Sequence, residues 1–194
     1  EAGVQVETGL CLTEAETVNA GFLMRVRAGR PLVSLKTATT SDGRIATRTG
    51  ASQWITGHAA RAHAHLMRAN HDAIAVGAGT VAVDDPGLTC RLPGMSHRSP
   101  LRVVFDSQLR TQTDAQLVTT ACNVPTCLIA CEGVNADRKT NFEDAGVRVW
   151  TVAEDSGRID LQAALSVLGD EGITRLMVEG GAQISTALLR AGLV

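Results

Sequence analysis

The stretch LMVEGGAQISTALL, residues 176 to 189, decides how the chain is read. Three apolar residues run into Glu179, two glycines break the pattern, and Ile184, Ala187, Leu188 and Leu189 then recur at helical spacing. A short apolar run closed by a tight turn and followed by an amphipathic helix is the form of a strand buried in a parallel sheet. Gly180 and Gly181 permit a turn with unobstructed amides, and the N-terminus of the helix that follows favours an anionic diphosphate. Glu179 is a carboxylate at a strand end in an apolar setting, which suggests hydrogen bonding toward a ligand. A plain strand-turn-helix joint would show the same residues.

Working outward, similar runs occur at Leu32–Thr37, Ala73–Val76, Leu101–Asp106, Thr126–Ala130, Val147–Val152 and Arg175–Glu179, each short, apolar and often β-branched. Helical patterns alternate with them. Thr56 is placed to cap a helix running to about Asn70 with Ala59, Ala62, Leu66 and Ala69 on one stripe. Asp160 is placed to cap another, with Leu161, Ala164, Leu165 and Leu168 inward and Gly172 beyond its end. This alternation predicts an α/β fold with a mostly parallel central sheet and helices on both faces. Residues 93–100 and 106–114 read as exposed loops. The opening segment GVQVETGLCLTEAETVNAGF reads as a strand, a turn and a Glu-rich helix start without partner strands.

Composition limits the function classes. The chain has 194 residues, 44% hydrophobic and 20% charged, enough for one medium domain and unlike disordered or fibrous sequences. No apolar run approaches the roughly 20 residues of a membrane span, and no signal segment opens the chain, so a cytoplasmic protein is expected. A net charge of −2, with 3% aromatic residues and no Tyr, argues against a nucleic-acid surface. The five cysteines at 11, 90, 122, 127 and 131 lack CxxC pairs, so they read as buried thiols and no metal site is expected. His58, His63, His65 and His71 read as a solvated helix face.

Chemistry concentrates where strands end, because ligands of open α/β sheets bind at the carboxyl ends of the strands. In LKTATTSDGRIATRTGASQWI, Lys36 sits inside a buried-looking strand, where an unpaired ammonium would be costly, so a ligand-facing role is expected. Asp42-Gly43 is a turn signal, and Ser52 and Gln53 beside Trp54 suit a planar ligand or a packed capping loop equally. In AVGAGTVAVDDPGLTCR, Gly77 and Gly79 precede Thr80, while the incomplete GxGxxG argues against an ordinary Rossmann site. Asp84, Asp85 and Pro86 stop the helix there, and a carboxylate at that point could also hold a ribose hydroxyl. Arg68 and Arg91 flank the region, and either could clamp a phosphate through paired donors.

Taken in order, SLKTATTSDGRIA, GASQWIT, GAGTVAVDDPGLTCR, FDS and MVEGGAQISTALLRAGLV resemble the reductase domain of the RibD family of bifunctional riboflavin-biosynthesis enzymes, which is similar in fold to dihydrofolate reductase. The resemblance covers residues 31–194. Residues 1–30 resemble the tail of that family's deaminase domain without its HxE and PCxxC zinc motifs, so zinc is expected only in a deaminase domain that this sequence does not contain. In the family further strands follow the AGLV helix, and they are expected to be missing here.

The resemblance implies reduction of 5-amino-6-(5-phosphoribosylamino)uracil to its ribitylamino product with NADPH, by a cytoplasmic homodimer whose partner is a small phosphorylated pyrimidine. It places Ala38, Trp54, Thr80, Asp84, Ser107 and the stretch Gly181, Ala182, Gln183, Ile184, Ser185, Thr186 and Ala187 at the cofactor. It places Ser52, Arg68, Leu88, Arg91 and Glu179 at the substrate, with the two arginines on its 5-phosphate. Lys36 and Glu179 become the catalytic candidates, Lys36 orienting the open sugar or assisting proton delivery. Two other readings stay open: a dihydrofolate-reductase-like enzyme with another heterocyclic substrate, and a non-catalytic nucleotide-binding half.

Overall fold

A computed structural model describes residues 2–50, 52 and 54–194. In chain order it contains α1 (Leu12–Val18), α2 (Ala20–Ala28), β1 (Leu32–Leu35), α3 (His58–Ala69), β2 (Ala73–Gly77) and α4 (Ala78–Asp84). Then come β3 (Leu101–Phe105), α5 (Gln116–Thr119), β4 (Thr126–Cys131), α6 (Ala136–Asp144), β5 (Arg148–Val152) and a two-strand hairpin of β6 (Glu154–Asp155) and β7 (Arg158–Ile159). The chain closes with α7 (Leu161–Asp170), β8 (Arg175–Val178) and α8 (Ala182–Arg190).

Six strands form one sheet in the order β1-β8-β2-β3-β4-β5, and every pairing in it is parallel. The last strand is therefore inserted between the first two. Parallel strands need crossovers, and the crossover helices cover the sheet on both faces. Side chains alternate between those faces. Cys127 and Ile129 join Ala164, Leu165 and Leu168 of α7 and Leu188 of α8 on one side. Leu128 and Ala130 join Val81, Leu117, Val118 and Phe142 on the other. Each fully buried Leu of this kind contributes about 1.5–3 kcal/mol.

The six strands expected for the sheet are present, and Asp160 caps α7 by accepting from the backbone N–H groups of Gln162 and Ala163 at 2.8 and 3.1 Å. Four expectations are corrected. The opening residues form no strand among those described, having no partner to complete a ladder, and the chain becomes helical at Leu12. Gly57, not Thr56, is the N-cap of α3; the Thr56 carbonyl instead accepts from Arg61 Nη1. Cys11 and Cys122 are exposed, while Cys90, Cys127 and Cys131 are buried. Residues 106–114 are not a wholly exposed loop, because Asp106, Leu109 and Thr111 are buried. Asp106 accepts from the N–H groups of Arg110 and Thr111 and from Thr111 Oγ1 at 2.6–2.8 Å, so its carboxylate organises the turn from inside.

Although α1 buries no side chain, α2 is fastened to the body. Arg25 Nε donates to the Gly169 carbonyl, and Gly169 lies so close to Gly29 that a Cβ there would collide with its carbonyl oxygen. Only glycine fits that crossing. On the sheet, Arg102 is 1% exposed. Its guanidinium donates to the carbonyls of Leu117, Thr120 and Val124, to Thr120 Oγ1 and, at 3.4 Å, to Gly87 O. It thereby pins the end of α5 and the segment after α4 to β3. No helix among the described residues is long and apolar enough to cross a membrane.

Candidate active site

Strand alternation decides which side chains meet. Leu35 pairs with Val178, so the next residues, Lys36 and Glu179, lie side by side at the ends of adjacent strands, and Lys36 N–H donates to the Val178 carbonyl at 3.0 Å. Val33 and Leu35 face the α7 side together with Leu176 and Val178. Lys36 and Glu179 therefore project to the opposite face, the side of α3. That helix carries Arg68 to Glu179. Arg68 Nε and Nη2 donate to Glu179 Oε1 and Oε2 at 2.8 and 2.7 Å, a two-pronged pair with side-chain exposures of 13% and 8%. Arg68 Nη1 also donates to the Thr89 carbonyl at 2.8 Å.

At its C-terminal end α3 is tied to β1 through His71. Its Nδ1 lies 2.7 Å from the Met67 carbonyl, which can only accept, so that nitrogen carries a proton and, in the neutral ring, Nε2 accepts from Ser34 Oγ at 3.2 Å. This bond fixes the helix that delivers Arg68.

Beyond Glu179 the chain turns through Gly180 (φ 108) and Gly181 (φ 84), the N-cap of α8. Both angles lie where side chains with a Cβ are strained. A Cβ on Gly181 would also stand 3.3 Å from Thr80 Oγ1 and 4.0 Å from the Gly77 amide. The start of α8 is thus pressed against the start of α4, and no side chain among the described residues caps α8. Ala182, Gln183 and Thr186 are exposed along it, whereas Ile184, Ser185 and Ala187 are half-buried. Ser107 follows β3, half-buried, its carbonyl accepting from Cys131 N–H at 3.1 Å. Burial pushes the Cys131 thiol up, against a hydrogen bond with Ser107.

Other sequence candidates take different positions. Ala38 is half-buried just after β1. Ser52 is exposed, and Trp54 is 73% exposed with the Arg61 guanidinium 4.6 Å from its ring centre. Gln53 lies outside the described residues. Asp84 is the exposed last residue of α4, and its neighbour Asp85 takes the structural role, accepting from Gln116 N–H at 2.7 Å. Leu88 is 4% exposed and belongs to the core, its φ of 50 bending the segment toward Arg91, which is exposed.

Sequence reading missed one member of the cluster. His65, taken as part of a solvated face with His58, His63 and His71, is half-buried, with Nδ1 3.1 Å from the Thr89 carbonyl and 3.3 Å from the Arg91 amide nitrogen. Burial lowers its pKa, reinforced by the charges of Arg68 and Arg91. His71 is half-buried as well, while His58 and His63 are exposed. The one local signal was the spacing of His65 three residues before Arg68, which puts both on one helix face.

Residues 31–194 match the family described as the RibD C-terminal domain. The chain is 41% identical over 192 residues to the riboflavin biosynthesis protein RibD of Bacillus amyloliquefaciens, a match covering 99% of this chain and 51% of that protein. Among solved structures it is similar to Acinetobacter baumannii RibD, form 1, at 32% identity and a TM-score of 0.83 over 100% of this chain and 52% of that one. It is also similar to the Thermotoga maritima diaminohydroxyphosphoribosylaminopyrimidine deaminase/5-amino-6-(5-phosphoribosylamino)uracil reductase, at 30% identity and a TM-score of 0.77, covering 97% of this chain and 50% of that one. The chain thus spans about half the length of these relatives. Its sheet is of the dihydrofolate-reductase-like kind expected from the sequence.

Proposed function

The chain belongs to the RibD C-terminal domain family, and from that membership we propose that it reduces 5-amino-6-(5-phosphoribosylamino)uracil to its ribitylamino product in riboflavin biosynthesis. The observation that carries the reading is the end of β8. There Glu179, its buried carboxylate held by both prongs of Arg68, immediately precedes a Gly-Gly turn packed on Thr80, so a polar substrate site and an anion cradle adjoin. We place residues 31–194 as the reductase domain and residues 1–30 as the tail of a deaminase-like domain, a boundary supported by the start of the family match at 31. The same reading makes the protein a cytoplasmic homodimer acting on a small phosphorylated pyrimidine.

The residues present fit NADPH. The cradle at Gly181 is one that a Cβ would crowd, and its uncapped helix start offers backbone donors to a diphosphate. Thr80 stands in the first turn of α4 and Ser107 follows the end of β3, with Ala38 and Trp54 on the side of β1 and α3 and Asp84 at the far end of α4. When bound, NADPH supplies the hydride. Gly181 to Ala187 and Thr80 would hold it, and the chain's main work would be alignment of donor and sugar.

Glu179, held by Arg68 in one orientation, accepts hydrogen bonds from the substrate's donors. Arg91, the exposed member of the arginine pair, meets the 5-phosphate. Arg68, already bonded three times, has donors left for the same phosphate only at Nη1 and Nη2. Ser52 and the bend at Leu88 complete the substrate side. Lys36, beside Glu179 at the strand ends, orients the opened sugar or passes it a proton.

The reading is tested by following oxidation of NADPH by the purified protein with and without freshly made 5-amino-6-(5-phosphoribosylamino)uracil. Substrate-dependent oxidation with formation of the ribityl product is expected. A folded, NADPH-binding protein that oxidised nothing would count against it.

A further inference from the structure

The segment Leu88–Arg91 belongs to no strand or helix, yet it carries two of the substrate candidates, Leu88 and Arg91. What holds it is α3. Arg68 Nη1 donates to the Thr89 carbonyl at 2.8 Å, the His65 ring lies against Thr89 O and Arg91 N, and the His65 carbonyl lies 3.4 Å from Cys90 Sγ. From the other side, Ser99 Oγ accepts from Cys90 N–H at 3.1 Å.

The ring has a choice of partner. Thr89 O can only accept and Arg91 N–H can only donate, so a single Nδ1 serves one of them, according to whether it carries a proton. Arg68 already satisfies Thr89 O. Arg91 N–H has no acceptor among the described residues other than His65 Nδ1. The tautomer protonated at Nε2 therefore leaves both Thr89 O and the Arg91 N–H bonded, whereas a proton on Nδ1 duplicates the bond to Thr89 and releases the Arg91 amide. The charged groups facing the ring are Arg68 from its own helix, Arg91 from the segment and Glu179 from the end of β8. Burial of the ring first, and then the two cations, outweigh the Thr89 hydrogen bond and the single carboxylate and favour a neutral ring.

We propose that His65 is a positioning residue for the substrate: its Nδ1 accepts the Arg91 backbone N–H and sets the Leu88–Arg91 segment so that the Arg91 guanidinium meets the substrate's phosphate. The proposal rests on the reductase reading above and adds to it a residue that touches neither substrate nor cofactor. It acts at one remove. Arg68 reaches Glu179 with two nitrogens and Thr89 with the third, and His65 extends the same frame by two residues.

The test is a set of variants read by steady-state kinetics. His65→Leu removes the acceptor and is expected to raise KM for the pyrimidine by about threefold to tenfold, the worth of one hydrogen bond, while KM for NADPH and kcat stay near wild type. His65→Asn places an amide oxygen where Nδ1 stood and does not titrate. It is expected to restore KM and to remove the rise in KM that wild type shows as acid protonates the ring. The substrate's own phosphate titrates in the same range, so the comparison is between the two enzymes on one substrate. Equal losses in both KM values and kcat for His65→Leu, no change in pyrimidine KM, or failure of His65→Asn to restore it would overturn the proposal. Independently of turnover, the Arg91 amide is expected to exchange with solvent faster in His65→Leu than in wild type and His65→Asn. Wild type with slow Arg91 exchange but no turnover would sink the reductase reading and leave the ring–amide bond standing. Equal exchange in all three proteins would sink the bond itself.

Discussion

The guanidinium of Arg68 grips both carboxylate oxygens of Glu179 across 111 residues of chain, at 2.8 and 2.7 Å, where neither side chain is more than 13% exposed. Two residues that each look ligand-facing in the sequence are first partners of one another. Their pairing keeps a carboxylate in fixed orientation at the end of a buried strand, which is what a substrate-recognising acceptor requires.

Breaking that pair from one side strands a charge. Glu179→Ala is expected to cost about 3–5 kcal/mol, lowering Tm by about 6–20 °C for a chain of this size. The double variant Arg68→Met/Glu179→Leu should recover most of the Tm and none of the turnover. Thermal melts beside product assays separate the two effects; a double variant that stayed active would show the pair to be structural only.

Lys36 makes no ion pair with any described residue, in contrast to Arg68. Lys36→Met should therefore leave Tm nearly unchanged, within about 0.5 kcal/mol, while turnover falls about a hundredfold or more. Unchanged turnover would remove Lys36 from the reaction.

At Gly181 the φ of 84 strains any side chain, and a methyl group would press to 3.3 Å from Thr80 Oγ1, which would have to shift. Gly181→Ala should strain the turn by about 1–3 kcal/mol and move the α8 start off the cradle. Titration with NADPH, followed by nucleotide fluorescence, is expected to show affinity reduced tenfold or more, on the order of 1.4 kcal/mol. A variant binding NADPH as wild type does would place the diphosphate elsewhere.

Arg102 is a buried cation held entirely by carbonyl and hydroxyl oxygens. Burial lowers its pKa to about 10, so it is charged at neutral pH. Arg102→Leu leaves the carbonyls of Leu117, Thr120 and Val124 without this donor, and a loss of about 3 kcal/mol or more is expected. Denaturant titration measures it. A variant as stable as wild type would mean that α5 holds its place without the guanidinium.

Asp72 accepts from Thr174 N–H, Thr174 Oγ1 and Arg175 N–H at 2.7–3.0 Å, tying the starts of β2 and β8 together. Desolvation raises its pKa, but the hydrogen bonds from Thr174 and Arg175 outweigh this and lower it overall. A carboxylate depressed on folding stabilises above its ordinary value and loses that contribution as pH falls through the folded value. Asp72→Asn should thus be less stable than wild type near neutral pH, and the gap should close in acid. A gap that stayed constant from neutral pH into acid would contradict this assignment.

Much of the architecture was legible because it is local. Burial on both faces wrote itself into the run TCLIAC, and the Gly-Gly break after Glu179 announced a turn through positive φ angles, where a Cβ is strained. What stayed hidden depends on residues far apart or on burial that polarity disguises. Nothing in the spacing of Arg68 and Glu179 forecasts their pairing, because the strand order that brings them together is a property of the whole sheet. Asp106 lies in a polar stretch, yet its carboxylate is buried by accepting the amides of its own turn. His65 looks like its exposed neighbours until the segment from Leu88 to Arg91 folds over it. The opening residues alternate like a strand, but alternation without a neighbouring ladder makes none.

The position of β8 has a kinetic consequence. It contacts β1 and β2 on either side, so until it is in place those two strands have a gap between them and no hydrogen-bonded neighbour in common. β1 cannot join the sheet by itself, and its seat waits for residues synthesised more than a hundred positions later. Closing so long a loop is entropically slow, and partially sheeted intermediates expose strand edges to other chains. On the ribosome, β2 to β5 can assemble early, while the adjoining strand ends that carry Lys36 and Glu179 come together only once β8 is made. Nascent chains stalled before Arg175 should carry a protease-resistant block from β2 to β5 and a labile β1.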